Sequence, residues 1–405
     1  MGNNPEETCS SFLENNVRNG ASAASSITVN WQIFYLSGRV PMKEETHISL
    51  EKYFFSEKEK TLLQFHTLKA SLFRYRSGIH AVRIQNSDGY IIVLPFKGQQ
   101  IWDAVFNNRN IKMKTIIDEP IETDFFLDSY GCLMMHCGVL RMGCPGQEDD
   151  HPLHGELPYT NYNSAELVMG ENGKGKYLGI SGTYEHKPTF TSNYYARPLV
   201  KLYENSDVLD ISINIHNLLH QPMELMYMCH INFRAEANGS IVQSLGWSEQ
   251  DMVLSTAHLH EQEKLSKHKI ELLDNLKRDP KLTQAFKKED IYDPEINYFI
   301  QKPEVDKDGW AHFLQILDDG SGNYVSYKPD ILDHAVRWIW KNEDYEVLGL
   351  VLPSTCDPEG YTREKEKGNV KEIPGKTSVA FSIKSGYLNR KETENMKKFI
   401  ENGCK

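Results

Sequence analysis

Most of the chain alternates apolar and polar residues with a period of two, in short runs closed by Gly, Asp, Asn or Pro. The pattern begins in ITVNWQIFYLSG (residues 27–38) and returns in ASLFRYRSG, HAVRIQNSDGYIIVLPF, KYLGISGTYEH, YYARPLVKLYEN and MELMYMCHINFR. In VLDISINI (residues 208–215) the apolar positions Leu209, Ile211, Ile213 and Ile215 fall on one face of an extended chain, which predicts a half-buried strand. Ser87, Asp88 and Gly89 between two such runs predict a hairpin turn, because Asp-Gly accepts positive φ. Two stretches depart from this rhythm. Residues 49–68, of mixed charge, predict a short helix. From about 255 to 295, Leu259, Leu265, Ile270, Leu273 and Leu276 recur near helical spacing until Pro280, which predicts a helical insertion. Many short strands with few helices predict a mainly β fold, a large antiparallel β-sandwich. No composition break follows residue 27, so residues 27–405 read as one domain. Residues 1–26, rich in Asn, Ser, Glu and Gly, read as a disordered or loosely attached tail.

Charge and composition narrow the partners. Acidic residues number 56 against 45 basic ones, a formal net charge of −11. That balance argues against nucleic acid, whose phosphates need clustered Lys and Arg. Nothing approaches the roughly 18 consecutive apolar residues of a membrane span. The sequence MGNNPEETCSSFLENN at the start has neither the basic nor the apolar region of a secretory signal, and Glu6 disfavours myristoylation. The cytoplasm is therefore the expected compartment. The seven cysteines are odd in number and form no CxxC pair, so neither a disulfide framework nor a zinc ribbon is expected. Cys132, Cys137 and Cys144 with His136 offer metal-ligand chemistry, but apolar flanks favour buried thiols that pack as small hydrophobes. No metal and no cofactor are expected.

No GxGxxG follows a strand, and neither GxxxxGK[ST] nor GxSxG occurs, so nucleotide and serine-hydrolase chemistry have no anchor. Residues 130–158, YGCLMMHCGVLRMGCPGQEDDHPLHGELP, concentrate titratable groups in a Gly/Pro-punctuated loop after an apolar run, a common way to hold a site on a rigid scaffold. Glu148, Asp149, Asp150 and His151 read either as cation ligands or as a solvated loop capping Arg141. In DHAVRWIWK, Arg337, Trp338 and Trp340 suit a sugar-binding wall, and core packing of the tryptophans serves equally.

Several of these residues resemble the galactose mutarotase (aldose 1-epimerase) superfamily. DVLDISINIHNLLHQPMELMYMCHINFR resembles its central strands, with Asn217, Pro222, His230 and Phe233 at the marked positions. Leu153, His154 and Gly155 match its LHGG element, with Glu156 in place of the second Gly. YGCLMMHCGVLRMG is similar to its Gly-rich element, where Arg141 matches a substrate-binding Arg, and Pro374, Gly375 and Lys376 resemble a late PGE strand. The resemblance covers residues from about 70 to 390 and implies a mutarotase-like supersandwich. It further implies a small-molecule carbohydrate as partner and isomerase chemistry without metal. Histidine suits the acid role in such chemistry.

By that resemblance His230 is the acid, His154 polarises or orients the sugar and Arg141 contacts it; His312, Arg337 and Trp338 are the further candidate contacts. The expected late Glu falls on Pro353 and an expected Asp falls on Ala311, with His312 retained beside it. Glu359 and Glu156 are the replacement candidates for the base, and Glu185 is third. The rival readings are a sugar-binding or sensing protein that lost the base, and a lyase or hydrolase with opposed Glu156 and Glu359. Sequence does not set the oligomeric state; a homodimer is carried as the oligomer to test.

Overall fold

The computed structural model describes residues 45–255 and 267–405. The tail expected over 1–26, the run at 27–38 and residues 256–266 of the expected insertion lie outside the described residues. Two antiparallel sheets, of nine and thirteen strands, make up the body. The alternation read in residues 208–215 is borne out: Leu209, Ile211, Ile213 and Ile215 are buried in the Ser206–Asn217 strand. That strand sits mid-sheet, between Tyr194–Tyr203 and Ser378–Leu388. The turn read at Ser87 to Gly89 joins the strands His80–Gln85 and Gly89–Val93, its amides bonded to the Asn86 side chain.

The sheets pack face to face. The Tyr227 ring lies flat on Phe381 from the opposite sheet, with centroids 4.6 Å apart. Arg337 is wholly buried; its guanidinium donates to Leu350 O at 2.6 Å and to Gln243 Oε1 at 2.7 Å. Gln243 belongs to an edge strand of the nine-stranded sheet. This buried apolar layer, from Val82 and Ile84 through Ile213 to Leu350, supplies the main driving force for folding.

The helix expected over 49–68 is a correction. Lys52–Phe54 is one 3-10 turn, and Lys60–Phe65 is a strand paired with Leu68–Arg74. Leu63 and Phe65 alternate into the core, and the turn at His66 takes a positive φ. Burial of alternate apolar side chains outweighed the charge mixture that suggested a helix. Three α-helices occur among the described residues: α1 (Lys267–Arg278), α2 (Tyr361–Lys367) and α3 (Arg390–Glu401). The α3 helix starts at a capping box in which Asn389 and Glu392 exchange hydrogen bonds with each other's backbone N–H. No described helix is long and apolar enough to cross a membrane.

Candidate active site

The floor of a 360 Å³ cavity is the face of the thirteen-stranded sheet turned away from the core. Side chains two apart on a strand share a face, and three strands use that rule here. Met228 and His230 reach the cavity from Met223–Ile231. Val336, Trp338 and Trp340 reach it from His334–Lys341, and Glu295, Asn297 and Phe299 from Tyr292–Ile300. Loops, a 3-10 turn and the first turn of α2 complete the wall with Phe126, Tyr130, Leu153, His154, Glu359 and Arg363. The cavity is thus largely apolar and aromatic, with a few polar groups converging on it, the usual composition of a small-molecule site.

Two histidines meet edge to face in this cavity, ring centroids 5.2 Å apart and planes at 79°. His230 Nδ1 lies 2.8 Å from Asn232 Oδ1. That oxygen also accepts from Tyr130 OH at 2.9 Å, while Asn232 Nδ2 donates to Cys132 O at 3.1 Å. An amide oxygen cannot donate, so His230 carries its proton on Nδ1 and offers the bare Nε2. Burial pushes the imidazole down to about 4, an effect the Asn232 bond only partly offsets. His154 Nδ1 is buried without a partner, which leaves Nε2 as the nitrogen that meets the cavity. Burial, with repulsion from His230 and His151 added, holds His154 well below the ordinary imidazole value.

The backbone at His154 is unusual in a way its sequence explains. His154 has φ 60° and Gly155 φ 82°. A Cβ on Gly155 would stand 2.0 Å from Arg141 O, so only glycine allows the two loop arms to approach. The left-handed turn points His154 back over the sheet, where its ring lies 5.0 Å from Phe126.

Glu295 is the carboxylate that the sequence reading missed. Its Oε2 accepts the indole N–H of Trp338 at 2.5 Å, and the Trp338 ring stands edge-on to His230 at 5.4 Å. Glu359 also lines the cavity, but Lys367 is ion-paired to it. Asp357, Glu359 and Glu364 form an acidic trio whose cation is that ammonium, 3.2 Å from Asp357 and 2.9 Å from Glu364.

The remaining sequence candidates lie elsewhere. Glu156 Oε1 accepts from Val139 N at 3.0 Å, Leu140 N at 3.1 Å and Tyr194 OH at 2.5 Å, so it braces the loop rather than facing the histidines. Arg141 stacks on Tyr361, 3.5 Å from the ring centroid, and pairs with Glu224 at 3.0 Å. His312 belongs to the other sheet, held by Tyr324 OH at 2.7 Å and Asp306 at 3.0 Å. Glu185 pairs with Lys187. Arg337 points into the core from the strand face opposite Trp338. Asp149 accepts from the N–H and hydroxyl of Thr362, tying residues 144–150 to the first turn of α2. Of the residues named as site candidates, His154, His230, Glu359, Trp338 and Trp340 share the cavity.

Solved structures with the same architecture exist. The chain is similar to a Klebsiella pneumoniae protein provisionally assigned as an aldose 1-epimerase, at 13% identity and a TM-score of 0.73, over 89% of this chain and 96% of that one. It is also similar to a galactose mutarotase-like protein of Clostridium acetobutylicum, at 12% identity and a TM-score of 0.53, over 80% of this chain and 100% of that one. The fold is galactose mutarotase-like. In sequence, the family model of a domain of unknown function (DUF4432) matches residues 76–240, and no curated protein matches the chain. On this mutarotase-like scaffold Glu295 was legible in principle. In EINYFI, residues 295, 297 and 299 alternate with Ile296, Tyr298 and Ile300, which are buried. A period-two reading puts Glu295 on the open face of that strand. Asn232 and Tyr130, which fix the His230 tautomer, carried no comparable signal.

Proposed function

We propose that this protein interconverts the anomers of a free sugar or sugar derivative, with His230 and Glu295 as the proton-transfer pair and His154 as a hydrogen-bonding partner of the sugar. The observation that carries this reading is the convergence of two edge-to-face imidazoles and a carboxylate on one aromatic-lined cavity. Ring opening of a hemiacetal moves one proton off the anomeric hydroxyl and one onto the ring oxygen. The pair needs a single proton between its members. The proton-free member takes the hydroxyl proton, and the other gives its proton to the ring oxygen as the C–O bond breaks. Closure on the opposite face of the carbonyl reverses both transfers and leaves the other anomer. With its proton fixed on Nδ1 by Asn232 and the imidazole pushed down to about 4, His230 offers its bare Nε2 as an acceptor. Trp338 and Trp340 supply apolar faces for the C–H side of the sugar, and Asn297 and His154 supply polar atoms for its hydroxyls.

Glu295 is preferred to Glu359 because its Oε2 is bound to the indole of Trp338, whose ring stands against His230, whereas Glu359 is ion-paired to Lys367. Polarimetry of freshly dissolved hexoses, pentoses and deoxy sugars tests the activity. Glu295→Gln should lower kcat about 10²–10⁴-fold, the ordinary worth of a general acid or base, and Glu359→Gln less than tenfold. A panel in which no sugar equilibrates faster with the protein present sinks the catalytic reading, and sugar binding in the same panel would then favour a sensing role.

A further inference from the structure

A second cavity, of 290 Å³, adjoins the first and shares Phe126, Leu127 and Leu153 with it as a common wall. The proton-transfer groups do not use it. Its lip carries Phe125 and Leu127, left 67% and 61% exposed, large apolar side chains that a fold with so complete a core would otherwise cover. Its floor is the buried ring of Tyr159, and Asp124, Thr160 and Glu156 stand around it as polar groups. Glu156 spends one carboxylate oxygen, Oε1, on three hydrogen bonds. Aromatic and aliphatic faces beside a few hydroxyl-directed acceptors are what a pyranose ring requires, apolar on its C–H faces and polar at its rim.

The loop of residues 152–156 runs along the divide between the two cavities. His154 belongs to the first; Pro152, Gly155 and Glu156 belong to the second. The same left-handed turn that aims the histidine therefore shapes both. Phe126 does likewise from the other side of the wall, with Phe125 beside it in the second cavity only. At 360 Å³ the first cavity is near the lower end of the roughly 300–1,000 Å³ of small-molecule sites. A ligand longer than one ring has to continue somewhere, and the second cavity is the adjoining space.

We infer that the second cavity is a subsite for the second residue of a reducing di- or oligosaccharide whose free hemiacetal lies between His230 and Glu295. The inference rests on the anomer-interconverting reading above for the first cavity. Two variants confined to the second cavity, Phe125→Ala and Asp124→Ala, carry the test. Both side chains are exposed; Asp124 pairs with the buried Lys97 ammonium, which Glu122 also holds, so Lys97 keeps a partner in Asp124→Ala. Reducing disaccharides of glucose and galactose, α- and β-linked through O4 and O6, are compared with their free monosaccharides by titration calorimetry and by polarimetry. The expected result is that at least one disaccharide binds more tightly than its monosaccharide. Phe125→Ala should then weaken that disaccharide about tenfold, the worth of one stacking contact, with the monosaccharide unchanged. Disaccharides that bind no better than monosaccharides, or an equal loss for both in Phe125→Ala, overturn the subsite. Tight, Phe125-dependent disaccharide binding without anomer exchange overturns the catalytic reading and leaves the subsite standing. Anomer exchange of monosaccharides alone does the reverse, and a protein that binds neither class overturns both.

Discussion

His230 is the residue on which the chemistry turns, and its behaviour is set by what it is buried against. Asn232 Oδ1 fixes the proton on Nδ1, and the closed aromatic surroundings push the imidazole down to about 4. Neutral imidazole then persists far below the ordinary value of about 6.5. The expected outcome is that kcat/KM per folded molecule does not fall between pH 7 and about 5, and that the acid limb lies near 4. An acid limb near 6.5 would mean that His230 is solvated. Stability responds in the opposite sense over the same window. His230 and buried His136, also pushed to about 4, bind protons more readily unfolded than folded. Each group therefore withdraws stability as pH falls from about 6.5 to about 4, on the order of 3 kcal/mol by the lower end. Chemical denaturation at pH 7 and pH 5 should show the loss while activity holds. Asn232→Ala should free the ring and leave Tyr130 OH and the His230 N–H short of an acceptor. It should cost about 1–3 kcal/mol of stability, measured by the same denaturation, along with most of the activity.

Among elements, the loop of residues 140–156 gains its shape from contacts that single residues control. Gly155 admits the approach of Arg141 O, Glu156 collects the Val139 and Leu140 amides, and Asp149 reaches across to Thr362 at the start of α2. Gly155→Ala meets both a positive φ and a backbone oxygen at 2.0 Å, so it should destabilise by more than about 1 kcal/mol and displace His154. Calorimetric melting with a parallel activity assay would separate the two effects; an unchanged melting temperature would contradict the geometry. The loop also shows where sequence reading stops. His154 and its Gly155 stood out as a pair, but nothing in the residues said that Glu156 turns to the backbone while Arg141 turns to Tyr361 and Glu224. Side-chain partners contributed by segments some 80 and 220 positions away leave no local pattern.

At the scale of the molecule, alternation was the dependable signal because a two-sheet packing buries every second side chain along its central strands. It delivered the mainly β sandwich and the buried face of residues 208–215. Applied strictly to EINYFI and to TLLQF, it would also have delivered Glu295 and the hairpin at 60–74, where mixed charge suggested a helix. Half of the candidate site was visible in the sequence as chemistry-bearing residues: His154, His230, Trp338 and Glu359 meet in one cavity. The other half depends on which strands become neighbours. The Tyr292–Ile300 strand reaches the site only because it pairs with His334–Lys341, a register that sequence spacing does not encode.

The central claim is that His230 and Glu295 together exchange anomers, and magnetisation transfer between the two anomeric proton signals of an equilibrated sugar measures that exchange directly. With a responsive sugar, the exchange rate should rise in proportion to protein concentration. It should fall by about 10²–10⁴-fold in both His230→Ala and Glu295→Gln, with near-unchanged unfolding midpoints in Glu295→Gln. Exchange that persists in folded Glu295→Gln, or that is absent for every sugar with the unaltered protein, would contradict it.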